Sequence, residues 1–289
     1  MITRRCSERR FFLRPDPKTN NAFIYFLAVA AQRYEIKVIF TGTMSNHHHT
    51  GVVDVHGNLP EFLAYFHKLF AKHQNALRGR WEAFWASEQT SVVELVAGHD
   101  ILDKMVYALT NPVKDHVVEK VHHWPGVNSL SATLANRPLR ATRPKTFFRE
   151  DGLMPESAEL PLHAPDQLLN ACPNGLASTI RERVADSELR AASQRLQEGR
   201  TVVGRAAVLN QHWNDSPQSR EPRRQLSPRV ASRNVWRRIE ALNRNRSWLA
   251  AYRDARDLFL AGVRTVAFPA GTFWLRHFAG AYCETVPAG

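Results

Sequence analysis

The sequence predicts an α+β fold followed by a mainly helical, basic extension. Two observations carry this reading. Before Trp124, short β-branched runs alternate with longer stretches of helical apolar spacing, in the order β-α-β-β-α-β-α. Beyond Pro165, arginines interleave with apolar residues at helical spacing. A hydrophobic fraction of 44% is ample for a core and excludes a disordered chain.

The opening residues ITRRCSERRFFL mix β-formers with arginines and predict an edge strand or arm. Pro15 to Asn20 reads as a turn. Asn21 to Tyr34 has helical spacing, with Lys18, Thr19 and Asn20 as cap candidates. Ile36 to Thr43 is a strand, and a tight connection at Ser45-Asn46 leads into a second strand from His47 to Val55. After the break at Gly57-Asn58, Leu59 to Leu77 forms a helix with Leu59, Phe62, Phe66, Leu69 and Phe70 on one side. Trp81, Phe84 and Trp85 read as core, with base stacking as the alternative. Ser91 to Val96 is a further strand, and Asp100 to Thr110 a helix that continues as helix or turn to Val121. This order predicts an antiparallel sheet with helices packed on one face, the ferredoxin-like arrangement.

Residues 1–130 form this unit, closed by Trp124-Pro125-Gly126. Residues 131–175, rich in Pro, Arg and Thr, read as an extended linker or short strands. Residues 176–289 form an Arg-rich, mainly helical region. It contains a polar helix over Ala177 to Glu198, a short helix within Val202 to Gln211 and a proline-punctuated loop over Ser216 to Pro228. One or two amphipathic helices span Ser232 to Val263, and a last short helix is entered through Pro269.

The net charge of +12 points to a polyanionic partner, nucleic acid first and an anionic membrane second. Residues 1–130 hold 15 Lys and Arg against 12 Asp and Glu, and the remainder holds 24 against 15, so most of the excess lies in the extension. Its densest part runs from Arg220 to Arg246 and includes Arg223, Arg224, Arg229, Arg233, Arg237 and Arg238. Arginine suits bidentate contact with phosphate. Arg4, Arg5, Arg9 and Arg10 on the opening strand are a second candidate for phosphate contact. No stretch approaches the roughly 20 apolar residues of a membrane helix, and no apolar run follows the basic N-terminus as in a secretory signal. Cys6, Cys172 and Cys283 are far apart and odd in number, which argues against a disulfide framework or zinc ribbon and for a reducing cytoplasm.

The chemistry concentrates in two motifs. His47 and His49 lie in MSNHHHTGVV on a predicted strand, where side chains two apart share a face and could share a divalent metal. Alone, such a pair is weak. The helix DKMVYALTNPV sets Ile101, Leu102, Met105, Val106 and Leu109 on an apolar stripe and Asp100, Asp103, Tyr107 and Asn111 on a polar one. Pro112 disfavours helical geometry at Asn111, so the helix ends or kinks there and frees the amide. His56, His67 and His73 read as surface or helix-face residues, and His122 and His123 as structural.

These motifs resemble the REP-associated tyrosine transposases of the HUH single-strand transposase superfamily. MSNHHH followed by a strand, then Tyr107, Asn111, Pro112 and Val113, then Trp124-Pro125, carry the resemblance over the first 130 residues or so. FFREDGLMPE and SREPRRQLSPRV are similar to the C-terminal extension of a longer subgroup. The resemblance implies the HUH fold and a metal-dependent transposase that cleaves and rejoins single-stranded, hairpin-containing DNA. His47, His49 and Asn111 are implied to hold Mg²⁺ or Mn²⁺. Tyr107 is implied to attack the phosphorus and form a 5′-phosphotyrosine linkage, with Lys104 and Lys114 as helpers. The enzyme would act as a monomer or homodimer. A non-catalytic DNA-binding descendant is the rival, and a metal phosphohydrolase using water the third reading.

The sequence departs from the family at His48, where a hydrophobic or aromatic residue is usual, and at Thr50 and Gly51. His48 faces the helices; it is a neutral buried histidine with a partner, a competitor for metal, or the mark of a register shifted by one.

Overall fold

The computed structural model describes residues 1–145, 147–149, 151–219 and 228–285. It is a mixed α+β structure. β1 (Ile2–Arg5) leads through a 3₁₀ turn to α1 (Pro17–Arg33), β2 (Ile36–Thr43), β3 (His47–Asp54), α2 (Leu59–Leu77) and β4 (Ser91–Val92). These strands make one antiparallel sheet in the order β2-β3-β1-β4. β1 therefore lies between two strands and not at an edge. Ile2 pairs with both Thr50 and Val92, and its side chain is buried against the helices, which fixes the strand inside the sheet.

α1 starts earlier than the sequence suggests. Asp16, not the Lys18–Asn20 stretch, caps it: its carboxylate accepts from the Thr19 N–H at 2.8 Å, and Pro17 supplies the preset φ of a first turn. α1 and α2 pack on one face of the sheet through Phe23, Phe26, Phe62, Phe66 and Phe70, together with Ile2, Ile36 and Val38. His67 and His73 are buried in or beside this layer, contrary to the surface reading. Phe84 and Trp85 join it as core, whereas Trp81 is 87% exposed.

The expectation of helices on one face gives way to helices on both. β5 (Glu94–Leu95) leaves the sheet, and α3 (Gly98–Leu109) crosses the opposite face, packing Leu102, Met105 and Leu109 against Ile39, Phe40 and Met44. A bulge between Val38 and Phe40 turns both Ile39 and Phe40 towards α3. Two glycines permit this layer. Phe40 lies against Gly51, its partner across the ladder, so closely that a Cβ at 51 would overlap the ring. Gly98 lets α3 approach the later α6, where a Cβ would overlap the Gln167 backbone carbonyl.

The chain then breaks at Thr110 into α4 (Asn111–Lys114), as the proline after Asn111 requires. Residues expected as an extended linker or short strands carry two short strands, the hairpin β6 (Leu139–Thr142) and β7 (Ser157–Leu160), and also α5 (Leu130–Leu134) and α6 (Asp166–Asn170). They are not an open spacer. Ala141, Ala158 and Leu160 share the α1–α2 core, and the Tyr25 hydroxyl donates to the Pro155 carbonyl at 2.6 Å. α7 (Leu176–Glu198) and α8 (Arg205–Asn210) cover the α3 layer through Ile180, Val184 and Val208. β8 (Val230–Ala231) pairs in parallel with β5 and leads into the single long helix α9 (Val235–Leu260). β9 (Ala267–Phe268), α10 (Phe273–Ala279) and β10 (Tyr282–Cys283) complete the chain around Phe268. All three cysteines are unpaired and buried. Among the described residues no helix is long and apolar enough to cross a membrane.

Replacing Gly98 with alanine should lower the stability by about 1–3 kcal/mol, because the α3–α6 approach must open; urea unfolding checks it. Burial, and then Arg4, pull the His67 imidazole down to about 3. Below pH 6.5 the unfolded chain takes up a proton that folded His67 refuses, so stability falls as pH drops from about 6.5 towards 3. This histidine alone should remove roughly 2 kcal/mol between pH 7 and 5 in urea midpoints.

Candidate functional site

β3 presents its three histidines alternately. His47 and His49 face α3, with ring centroids 4.9 Å apart, while His48 faces α1 and α2. His48 is fully buried among Phe23, Phe66 and Trp85. Its two nitrogens are satisfied by Thr50 Oγ1 and His67 Nε2, each at 3.1 Å. Of the three readings open for this residue, the structure has the buried histidine with a partner. Burial and the neighbouring histidines hold its pKa well below the ordinary value, so it is neutral.

The hydrogen bonds of His47 fix its tautomer, and His49 has one nitrogen bonded and one buried without a partner. The Asn111 amide Nδ2 lies 3.1 Å from His47 Nε2 and can only donate, so Nε2 accepts. The proton then sits on Nδ1, which donates to Asn46 Oδ1 at 2.7 Å. His49 Nδ1 lies 2.8 Å from Thr3 Oγ1, and its Nε2 is buried with no hydrogen-bond partner. The Thr3 hydroxyl can donate or accept, and where it accepts from Nδ1 that Nε2 is a bare lone pair. Burial is the largest cause lowering both pKa values, His47 well below 6.5 and His49 to about 4. For His47 the neighbouring His49 adds to this, and for His49 the neighbours Arg5 and Lys104. Both rings are therefore neutral near pH 7, the form that can coordinate a metal.

Asn111 is buried at the start of α4, and Tyr107 stands one turn earlier on α3, 41% exposed. The Tyr107 ring lies 5.8 Å from that of His49. Lys114 Nζ is 4.6 Å and Lys104 Nζ 5.7 Å from the tyrosine ring centroid. Burial lowers the Lys114 pKa, opposed by Asp115 and reinforced by Lys104. The four residues singled out from the motifs thus meet on one face of the sheet. Their donors are two imidazoles and one amide; among the described residues, no group of three or more His, Cys, Asp or Glu is arranged to hold a metal.

The arginine candidates divide. Arg4 donates to the Ala86 and Glu88 carbonyls. Arg9 binds Ser219, and Arg10 binds Glu8 and Asn214. These three tie loops together within the chain. Arg5 is exposed beside the histidine pair, close enough to lower both of their pKa values. Arg223 and Arg224 lie outside the described residues. Arg229, Arg237 and Arg238 are exposed, and Arg233 Nε pairs with Asp103 at 2.6 Å.

Asp103 is a hub that the motifs alone did not expose. Arg183 of α7 pairs with its other oxygen at 2.5 Å, so one carboxylate holds both α7 and the segment before α9 to the tyrosine helix. Asp100 helps by accepting from the Arg233 N–H at 3.0 Å. Asn46 and Thr3, which orient the histidines, were also not singled out. Their only sequence signal is position, Asn46 directly before the triple histidine and Thr3 opposite His49 on the neighbouring strand.

No family model, no curated protein and no solved structure matches this chain.

An Asp103→Asn protein should lose about 1–2 kcal/mol of stability, as charged hydrogen bonds to two arginines weaken together. Protection of α3 amides in hydrogen exchange should fall with it, while that of α1 stays unchanged.

Proposed function

We propose that this chain is a metal-dependent DNA strand transferase with a tyrosine nucleophile, acting on single-stranded DNA that carries a hairpin. This is the activity implied by its resemblance to REP-associated tyrosine transposases of the HUH superfamily. The observation that carries the reading is the meeting of His47, His49, Asn111 and Tyr107 on one face of β3. The β-α-β-β-α-β order and the pairing β2-β3-β1-β4 support a ferredoxin-like sheet beneath them.

The residues fit a divalent cation. His49 Nε2 is buried without a partner, and His47 Nε2 is held as an acceptor by Asn46. Turning the Asn111 amide over would bring Oδ1 towards the same point, so that two imidazole nitrogens and a carbonyl oxygen form a donor set that suits a cation. Mg²⁺ or Mn²⁺ held by His47, His49 and Asn111 would supply Lewis-acid polarisation of the scissile phosphate. With two nitrogen donors and no carboxylate, the set suits Mn²⁺ better than Mg²⁺.

The chain's own residues do the rest. Tyr107 Oη attacks phosphorus, forming the tyrosine ester as the P–O3′ bond breaks. The phenolic proton passes to water at the exposed face, and the 3′ oxygen takes a proton from water to leave as a 3′-OH. A free tyrosine has a pKa of about 10, so the phenolate needs support. Lys104 and Lys114 supply positive charge on both the phenolate and the pentavalent phosphorane. A second 3′-OH reverses the step and joins strands.

Incubation of 5′- and 3′-labelled hairpin oligonucleotides with Mn²⁺ should give a 5′-linked protein adduct and a free 3′-OH product. Tyr107→Phe should remove the adduct and slow cleavage at least about a thousandfold while binding stays within twofold. Product without adduct would indicate a water nucleophile, and tight hairpin binding with neither would indicate a non-catalytic binder. Asn46→Ala should weaken Mn²⁺ binding about 10–100-fold in calorimetry, because His47 loses its fixed tautomer.

A further inference from the structure

We propose that the cleft walled by α3, α7 and the start of α9 is the track of the unpaired DNA strand to Tyr107, so that the C-terminal region completes the active site. This rests on the strand-transfer reading above and goes beyond it in assigning the strand's path. The cleft has a volume of about 710 Å³, and Tyr107 lies in its wall. The cations around it come from every element: Lys104 and Lys114 from the tyrosine side, Arg183 and Arg190 from α7, and Arg233 and Arg238 from the third wall.

Three acids also line the cleft, and each is engaged. Asp103 is shared by Arg183 and Arg233, and Asp186 pairs with Arg190 at 2.9 Å. Asp100 accepts from the backbone N–H groups of Ala97 and Arg233. Six cations against three paired acids leave the cleft positive. The charge is spread along the walls instead of focused at one point, which fits a run of phosphates better than a single anion. The α9 N-terminus is not the attraction, since Asn234 already accepts from the Trp236 and Arg237 N–H groups. Trp236, 80% exposed in the same turn, offers a face on which a base can stack.

The far wall is fixed to the catalytic layer. β8 pairs with β5 through Glu94–Val230 and Leu95–Ala231, and Arg244 of α9 pairs with Glu94. The extension thus lines the same cleft as Tyr107 and is more than a remote arm for the hairpin stem. Arg183, Ser187 and Arg190, at spacings of four and three, place one polar stripe of α7 along the cleft.

The test uses the full chain and a fluorescein-labelled oligothymidylate, read by anisotropy over a salt series in chelator, so that binding is separate from chemistry. Arg190→Ala and Arg238→Ala spare the Asp103 hub. Each should weaken binding about fivefold and reduce the slope of log affinity against log salt by about 0.7, with the double variant reducing it by about 1.4. Arg140→Ala, which removes an exposed charge on the β6–β7 hairpin, should change neither. Melting temperatures within about 2 °C of the unaltered protein confirm folding. A double variant that binds within twofold of the unaltered protein overturns the track. So does an equal loss in Arg140→Ala, or an unaltered protein that shows no salt-dependent binding. Adduct formation on hairpin DNA is scored separately: its absence from the unaltered protein overturns strand transfer, while the salt slopes alone decide the cleft.

Discussion

His48 sits in the α1–α2 core with both nitrogens satisfied, one of them by His67 across the strand–helix boundary. That buried pair sets the register of β3. Side chains alternate along a strand, so a slip of one residue would carry His47 and His49 into the aromatic core and swing His48 out. Core packing would then be lost along with the site. Gly51 adds a second pin on the same strand, because the Phe40 ring closes over it from the neighbouring strand. The geometry of the candidate centre is therefore inherited from packing on the far side of the sheet. The middle histidine is part of that packing and not a third donor.

The second constraint is the carboxylate of Asp103. It lies on the helix that carries Tyr107, four residues earlier, and gathers Arg183 and Arg233 from segments widely separated in the chain. One acid thereby converts an Arg-rich extension from a tail into a wall. The same contact spaces cations around the tyrosine while cancelling part of their charge, which limits repulsion among Lys104, Lys114, Arg183 and Arg233. Stability and site electrostatics are coupled through a residue that lies outside the His47, His49, Asn111 and Tyr107 cluster.

Much of this was legible locally. The strand alternation of His47 and His49, the turn-spaced Tyr107 and Asn111 and the break forced by Pro112 are short-range patterns that place each pair, while the packing of α3 across the sheet brings the two pairs together. The α2 stripe of Phe62, Phe66 and Phe70 was equally plain. What escaped depends on pairing across long separations. Ile2 gains a strand on each side from residues 50 and 92, which no local signal in ITRRC reveals. His67 reads as a surface or helix-face residue because its partner His48 lies on another element. Residues 131–175 look like a linker by composition, yet the hairpin finds a face of α1 that the sheet leaves uncovered. The bulge at Val38–Phe40 directs two successive side chains to α3, so the second helical layer could not be read from alternation.

The proposed chemistry requires that His47 and His49 share a cation. Pulsed electron paramagnetic resonance of the Mn²⁺-loaded protein reads directly bonded nitrogens. Two imidazole couplings are expected from a cation shared by this pair, one lost in His47→Gln and the other in His49→Gln, with neither altered in His67→Gln. Couplings that persist in the His47→Gln/His49→Gln double variant, or a protein that binds no Mn²⁺ while remaining folded, would contradict it.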